Sequence, residues 1–540
     1  MFKKSMLAGK GLIVAMLLLG FNQSCTNLDE EIFSDLTSEN FPTTEEQFIS
    51  ALGATYTSLY GLLNHNSIFS LQEVSSDEMM IPHRGADWFD GGQWLRVHQH
   101  SFNDAEESVN NGWNYLYGGV NNCNRVIALF ETLVEDGKVA EEDATAFIGE
   151  VKVLRALFYY WLLDAYGNVP IVTSFDESEP NPPTKSRQEV YDFVESELAA
   201  NVPNLSKAND VSTYARMNYW SGKMLQAKLY INAEVYIGKD EYAKALEACE
   251  EIIDSGLYNL EADYFANFNA DNSGSAENIF TIPYDEAQAQ GFNLAQMTLH
   301  YANQNTFSLA EQPWNGYCSL QEFYNSYDDT DVRKGEYGNQ KVRGNFLAGP
   351  QYNAGGTVAA IDAGVEGWIQ DPNSGVWSPD PNATIQDPDG PDLVFTPEIN
   401  EIEPNCLRQA GVRVGKFEYE NGATANLNND FPIFRYADVL LMAAECLHRM
   451  GMSGDGLMYA NMVRSRAGQP DFGALTDDDL LAERGREMFY EGWRRQDLIR
   501  FGAFGDAWDF KAPSEPCKTL FPIPINQINA NPNLDQNDCY

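Results

Sequence analysis

The sequence lacks any apolar run long enough to cross a membrane, and it is poor in positive charge. Its most apolar stretch, Leu12–Leu19, extends to about ten residues, whereas a membrane-spanning helix needs ~20. Lys and Arg number 35 against 79 Asp and Glu, which gives a formal net charge of −44. Because nucleic-acid backbones are anionic, this excess of negative charge argues against a nucleic-acid-binding role.

The sequence also lacks the common catalytic motifs. It contains no Gly-x-Ser-x-Gly elbow, His-Glu-x-x-His helix, phosphate-binding Gly-Lys-Ser/Thr loop or dinucleotide fingerprint. We therefore predict a protein that is not an enzyme. A glycosidase with two catalytic carboxylates is the less favoured alternative, since 79 acidic residues make chance pairs unavoidable.

Metal and disulfide signals are sparse. The eight cysteines are scattered without a Cys-x-x-Cys pair, although Cys517 and Cys539 are able to pair in an oxidising compartment. His98 and His100 have no third metal ligand nearby in the sequence. The acidic segment 327–333 lacks EF-hand spacing, so we expect no cofactor, with structural calcium in an acidic loop left open.

The N-terminal sequence is typical of an export signal. Lys3, Lys4 and Lys10 precede the apolar stretch, which predicts a signal peptide over residues 1–24. Cys25 follows directly and is the candidate for lipidation; the alternative is an ordinary cysteine beside a cleavage site. Leu28-Asp29-Glu30-Glu31 resembles the surface-export signal of Bacteroidota lipoproteins. Two or more acyl chains are enough for stable membrane anchoring.

Helical periodicity dominates both ends of the mature chain. In the segment 144–166 apolar residues recur at steps of three and four, with Gly167 as a stop signal. Residues 112–135, 187–202, 214–236 and 240–255 show similar patterns, which predicts helical hairpins of tetratricopeptide-like size. A C-terminal block predicts helices over 433–450, 457–467 and from the capping residue Thr476 to about Phe501.

Between these blocks the pattern is that of loops rich in Gly, Pro, Asn and Asp. We therefore predict a mainly α protein in which residues 25–540 form a single domain. This domain comprises a helical part at about 25–256, a loop-rich insertion at about 257–430 and a second helical part at about 431–540. Long ordered loops often carry binding residues on a helical scaffold.

Four segments resemble the SusD/RagB family: the start Cys-Thr-Asn-Leu-Asp-Glu-Glu at 25–31, the segment 431–445 that begins Phe-Pro-Ile-Phe-Arg-Tyr-Ala-Asp, the long motif at 483–502, and the ending Leu-Phe-Pro-Ile-Pro at 520–524 near Asn-Pro-Asn-Leu at 531–534. The resemblance implies a SusD-like fold with tetratricopeptide-like hairpins and a loop-rich ligand-binding face. It also implies a lipid-anchored protein on the extracellular face of the outer membrane, acting with a SusC-like TonB-dependent transporter. Arg435, Glu445, Glu491, Arg494 and Asp497 look like ion-paired framework residues.

The segment 77–94 is the first candidate binding site. It combines tryptophans, an arginine and carboxylates in a Gly-rich loop, and it resembles the family's Arg-Gly-x-Asp-Trp-x-Asp-Gly-Gly pattern. Aromatic faces stack on sugar rings while charged groups bond hydroxyls. The candidates here are Asp77, Arg84, Asp87, Trp88 and Trp94; the alternative is that Trp88 and Trp94 only pack the loop onto the body.

A second group of aromatic residues should come from the middle region. The candidates are Trp314, Tyr317, Trp368 and Trp377, which lie in polar segments. Together the two groups predict capture of an oligosaccharide or polysaccharide and its delivery to the transporter. The alternative is capture of a peptide or protein, as in RagB-type relatives, which would require a long groove lined by backbone-pairing groups.

Overall fold

The computed structural model describes residues 45–540 apart from 86, 176–179, 360–367, 372–376 and 383–391. The helices are α1 (Glu45–Tyr56), α2 (Ile68–Val74), α3 (Gln93–His98), α4 (Glu107–Glu135), α5 (Glu141–Ala165), α6 (Arg187–Asn201), α7 (Tyr219–Ile231), α8 (Ala233–Ile237), α9 (Tyr242–Ser255), α10 (Leu294–Thr298), α11 (Asn303–Phe307), α12 (Gln321–Asn325), α13 (Tyr436–Arg449), α14 (Ser453–Arg466), α15 (Asp477–Met488), α16 (Arg494–Arg500) and α17 (Ile525–Ala530). The strands are β1 (Met79–Met80), β2 (Asn278–Pro283), β3 (Cys318–Ser319), β4 (Phe346–Leu347), β5 (Gly349–Pro350), β6 (Trp368–Gln370), β7 (Trp377–Pro379), β8 (Val394–Phe395), β9 (Arg413–Val414) and β10 (Asp430–Arg435). The fold is mainly α, as predicted.

The N-terminal helices pack in sequence order through buried apolar faces. α4 packs on α5, α5 on α6, and α7 on α9, which also contacts α13. The approach of α4 to α5 is close at Gly119, where an added Cβ would lie 2.3 Å from the Phe158 ring. α5 ends as predicted, because Gly167 adopts a left-handed conformation with φ 72°.

Several helix boundaries differ from the predicted ones. The predicted helix 214–236 begins only at Tyr219, where the Asn218 side chain caps it, and it breaks at Asn232 into α7 and α8. The segment predicted to be helical from residue 433 first completes strand β10. The last predicted helix is divided, because Tyr490 and Gly492 take positive φ between α15 and α16. Thr476 caps α15 as predicted, through the Asp479 amide.

Short antiparallel strand pairs organise the loop-rich region. β2 pairs with β10 and closes the segment between them, while the described strands β4–β9, β5–β8 and β6–β7 pair within it. β1 pairs with β3 through Met79 opposite Ser319 and Met80 opposite Cys318. This pairing brings the Gly-rich loop after β1 beside the residues that precede β3.

A buried ion-pair network joins this region to the C-terminal helices. Arg435 contacts Glu277 at 2.5 Å, Glu487 at 3.0 Å and Glu491 at 2.6 Å, all fully buried. Arg500 similarly bonds Glu445 and Asp497, at 2.7 Å each. The predicted framework role of these motif residues is therefore confirmed.

Cys517 and Cys539 form a disulfide, and the other described cysteines are buried thiols. None of the described helices combines the length and apolarity that a membrane crossing requires.

Candidate ligand-binding cleft

The Gly-rich loop after β1 is held by its own backbone and by the segment 402–410. Arg84 and Asp87 exchange backbone hydrogen bonds at 3.0 and 3.1 Å, and Gly85 donates to the Pro404 carbonyl at 3.1 Å. Trp88 and Asp90 both adopt positive φ, 56° and 41°, a conformation rare for side-chain-bearing residues. This backbone conformation turns the Trp88 side chain toward the 314–317 segment.

Three rings meet at this point. The ring centroid of His65 lies 5.7 Å from that of Trp88 and 5.4 Å from that of Trp314, and the two indoles are 6.4 Å apart. Trp88 Nε1 donates a hydrogen bond to the Trp314 carbonyl oxygen at 2.7 Å. We call these three residues the aromatic platform.

The platform rests on a closely packed base. The indole of Trp88 lies over Gly316, where an added Cβ would come within 2.4 Å of Trp88 Cε2. Tyr317 packs edge-on against Trp88 at 6.0 Å, and its hydroxyl bonds Ser70 and the His65 carbonyl. Gly316 therefore provides the space that the indole occupies.

The platform forms one wall of an open cleft of about 670 Å³. Trp314 is 39% exposed, Trp88 is half-buried, and Asp90 and Gln312 are exposed. The lining residues are His65, Asp87, Trp88, Asp90, Tyr301, Gln312, Pro313 and Trp314. Aromatic faces beside hydrogen-bonding groups in an open cleft form a surface for a flat, polar ligand.

Two ionisable groups of the cleft have shifted pKa values. Burial lowers the pKa of His65, against the opposing effect of Asp90 and Glu107, so the imidazole is neutral at neutral pH. Burial raises the pKa of Asp87, while Arg408, Arg84 and His83 act in the opposite direction. Both side chains carry polar atoms that can form hydrogen bonds to a ligand.

Of the residues singled out in the sequence, Asp87, Trp88 and Trp314 line the cleft together. Arg84 does not, because the residue is only 2% exposed and its guanidinium donates to the Leu407 and Ala410 carbonyls at 2.5 and 2.9 Å. It holds the loop against the segment behind it.

Trp94, Tyr317 and Asp77 also lie outside the cleft lining. Trp94 is 1% exposed on α3, and its Nε1 donates a hydrogen bond to Asp90 at 2.8 Å. It therefore packs the loop onto the body, which was the alternative interpretation of this residue. Tyr317 is fully buried beneath Trp88. Asp77 accepts two hydrogen bonds from Arg494 at 2.7 Å each and joins the framework ion pairs.

Three further candidates are only partly described. Trp368 and Trp377 lie on the paired strands β6 and β7, opposite Pro379 and Gln370 respectively. Their side chains are outside the described part of the chain, so a ligand contact stays a prediction. Cys25 and the signal segment 1–24 also lie outside the described residues.

Sequence reasoning missed His65, Tyr301 and Gln312. His65 follows Leu62 and Leu63 in an ordinary polar turn before α2, and no local motif marks it. Asp90 lies within the Gly-rich loop that the sequence singled out. Tyr301 and Gln312 could not have been selected from the sequence, because only their position in the loop-rich region distinguishes them.

The histidine pair is structural. His98 bonds the Asp509 carbonyl, and His100 bonds Ser514 and Ser75 while stacking on Phe504 at 4.1 Å. Within the described part of the chain, no group of three or more His, Cys, Asp or Glu side chains is placed to hold a metal ion. Calcium binding stays a prediction.

Comparison with known families accounts for both ends of the chain. A profile described as "SusD family" matches residues 408–540, and one described as "Starch-binding associating with outer membrane" matches residues 28–231. The chain belongs to the SusD/RagB family. It is 26% identical over 422 residues to the starch-binding protein SusD of Bacteroides thetaiotaomicron, covering 72% of each chain. It is 24% identical to the SusD-like protein P25 of Formosa agariphila, covering 95% of this chain and 96% of that one.

Solved structures of the SusD/RagB family share the fold. Surface glycan-binding protein A of Bacteroides thetaiotaomicron, in complex with laminarihexaose, matches with a TM-score of 0.69 at 22% identity, over 91% of this chain and 99% of that one. A laminarin-binding SusD-like protein matches with a TM-score of 0.70 at 20% identity, over 92% of this chain and 100% of that one. These likenesses support the SusD-like assignment of the fold.

Proposed function

We propose that this SusD/RagB protein is a cell-surface lipoprotein that captures oligosaccharide or polysaccharide in the cleft at the aromatic platform. It then delivers the glycan to a SusC-like TonB-dependent transporter in the outer membrane. It does so without catalysis. The observation that carries the proposal is the meeting of His65, Trp88 and Trp314 at an open cleft beside Asp87 and Asp90.

The chemistry of the cleft suits a sugar chain. An indole offers a flat apolar face to the C–H face of a sugar ring, and the carboxylates and Gln312 offer hydrogen bonds to its hydroxyls. Relatives are described as binding starch or laminarin, or are in complex with laminarihexaose. The proposal for this chain combines those descriptions with the platform.

The alternative function, capture of a peptide, would require a different kind of binding surface. An extended peptide is held by backbone hydrogen bonds along a groove. The residues that line this open cleft instead include two indoles, those of Trp88 and Trp314, beside Gln312 and two carboxylates. That composition favours a sugar over a peptide backbone.

The binding test compares tryptophan variants in native gels containing amylopectin, laminarin, xylan, mannan or galactan. The protein is the full chain with Cys25→Ala, which removes the proposed acylation site. We expect retardation by at least one polysaccharide, weakened at least about tenfold in Trp314→Ala and Trp88→Ala, because each indole supplies one to two kcal/mol, roughly, of stacking and burial.

Tyr337→Ala is the matched control, since Tyr337 is also an exposed aromatic residue, at 50%, and does not line the cleft. Circular dichroism establishes that each variant is folded. Retardation that survives both tryptophan substitutions would refute the site. Release of reducing sugar from a retarding polysaccharide would refute the assignment as a non-catalytic protein.

The anchor and the transporter need tests of their own. In its native host, the wild-type chain should incorporate labelled palmitate and fractionate with the outer membrane, and Cys25→Ala should do neither. Protease added to whole cells should digest the wild-type protein if it faces outward. Solubilised membranes should yield a TonB-dependent transporter with the tagged chain; its absence under mild detergent would count against delivery by this route.

A further inference from the structure

The cleft at the aromatic platform has an uneven distribution of charge. Asp87 and Asp90 supply two carboxylates, and no lysine or arginine is among the described residues that line it. The remaining lining groups are aromatic, amide or proline side chains together with His65. The wall therefore presents negative charge and neutral polar groups to a ligand.

Three arginines lie close to the Gly-rich loop, and none of them lines the cleft. Arg84 is buried and donates to the Leu407 and Ala410 carbonyls. Arg96 forms two hydrogen bonds to Glu106, at 2.6 and 2.7 Å, and one to the Gly91 carbonyl. Arg408 acts on Asp87 electrostatically but does not line the cleft.

His65 adds no positive charge at neutral pH. It is half-buried between the two indoles, and burial lowers the pKa of its imidazole. The charged groups that act on it are Asp90 and Glu107, both negative. A carboxylate or sulfate on a ligand would thus meet like charge, with no lysine or arginine among the described lining residues to pair with it.

We propose that the cleft selects uncharged glycans and rejects uronate-containing and sulfated ones. This inference rests on the proposed function, since it specifies which glycans the platform accepts. Asp87 and Asp90 accept hydrogen bonds from sugar hydroxyls, and bonds to a charged acceptor are the stronger kind. The same two charges repel an anionic substituent, so one pair of residues both binds the accepted class and excludes the other.

The first experiment runs the Cys25→Ala chain through two sets of native gels. One set contains amylopectin, laminarin, xylan, mannan or galactan, and the other contains alginate, polygalacturonate, carrageenan or chondroitin sulfate. We expect retardation within the neutral set alone. Trp88-dependent retardation by an anionic polysaccharide overturns the inference and leaves glycan capture intact, whereas no retardation in either set refutes glycan capture and this inference with it.

The second experiment uses derivatives of the retarding neutral glycan, either carboxymethylated or hydroxyethylated to the same degree. The hydroxyethyl group has similar bulk and no charge. At low salt we expect the carboxymethylated form to bind at least about tenfold more weakly than the hydroxyethylated form. In the double variant Asp87→Asn/Asp90→Asn, the ratio of the affinity for the hydroxyethylated form to that for the carboxymethylated form should fall toward one. The reason is that each amide keeps an acceptor oxygen but carries no charge.

The matched control is Asp240→Asn/Asp254→Asn, which changes the net charge equally at two exposed positions outside the cleft. If it narrows the ratio as much as the cleft variant does, discrimination comes from the overall charge and the inference is overturned. Equal binding of both derivatives by the wild-type chain overturns it as well.

Discussion

Replacing Gly316 with alanine tests the geometry of the aromatic platform without removing any ring. The added Cβ would lie 2.4 Å from Cε2 and 2.6 Å from Cζ2 of Trp88. Ordinary carbon contacts are at about 3.5 Å, so either the indole or the backbone must move by about 1 Å. The backbone is restrained, since the amides of Gly316 and Tyr317 both donate to the Met297 carbonyl at 2.9 Å.

We therefore expect the Trp88 indole to move. Its hydrogen bond to the Trp314 carbonyl, now 2.7 Å, lengthens, and the two indoles lose their present arrangement. Overpacking of this kind costs about 1–3 kcal/mol of folding stability. Affinity for the retarding glycan should fall at least about tenfold, which corresponds to ~1.4 kcal/mol of binding free energy.

Isothermal titration with the glycan and urea unfolding measure the two effects separately. Gly53→Ala is the control, because Gly53 lies on the exposed face of α1 and its Cβ would meet nothing within 4 Å. That variant should bind like the wild type and gain up to about 1 kcal/mol in stability. Wild-type affinity in Gly316→Ala, with Trp88→Ala impaired, would refute the requirement for this position of the indole.

Three further predictions concern stability, all measured by urea unfolding. Burial raises the pKa of Glu73 to about 7, and burial together with Glu73 raises the pKa of the neighbouring Glu78, so folding favours the protonated forms of this pair. Stability should therefore fall, on the order of 3 kcal/mol, as pH rises from 4.5 through 7, and Glu73→Gln should reduce that slope. Arg435→Met, which leaves three buried carboxylates without that guanidinium, should cost about 3–5 kcal/mol or prevent folding, whereas exposed Lys185→Met should change stability by under about 0.5 kcal/mol. Replacing Cys517 and Cys539 by serine opens a loop with a sequence separation of 22 and should cost about 3 kcal/mol. An unchanged unfolding midpoint in Arg435→Met or in the double serine variant, or an unchanged pH slope in Glu73→Gln, would contradict the corresponding prediction.

The helical body was predictable because its signals are local. The apolar periodicity over 144–166 corresponds to α5 at Glu141–Ala165, and the Gly167 stop and the Thr476 cap act within one helical turn. The boundaries that differ depend on distant partners. The segment before α13 becomes strand β10 because β2, far earlier in the chain, supplies its hydrogen-bonding partner.

The cleft was predictable only in part, because the rings of Trp88 and Trp314 are brought together by the pairing of β1 with β3. No local sequence pattern predicts that pairing. β1 and β3 are two residues each, and their pairing brings the loop of Trp88 beside Trp314. Neither strand has the alternating run of residues by which strands are recognised. His65 joins them from the turn before α2, so its place at the platform depends on how that helix packs.

Residue type alone also does not separate binding residues from those that hold the loop. Trp88 and Trp94 lie in one Gly-rich segment, yet Trp88 lines the cleft while Trp94 lies in the first turn of α3 and donates a hydrogen bond to Asp90. Trp88, Asp90, Gly91 and Gly92 all take positive φ, so no regular strand or helix periodicity relates the two indole side chains. Arg84 likewise has the chemistry to bind sugar hydroxyls, but backbone carbonyls behind the loop take its hydrogen bonds first. In a site built on irregular loops, many polar and aromatic residues form the contacts that hold the loops in place. Which side chains remain accessible to a ligand therefore depends on the backbone conformation of the loops.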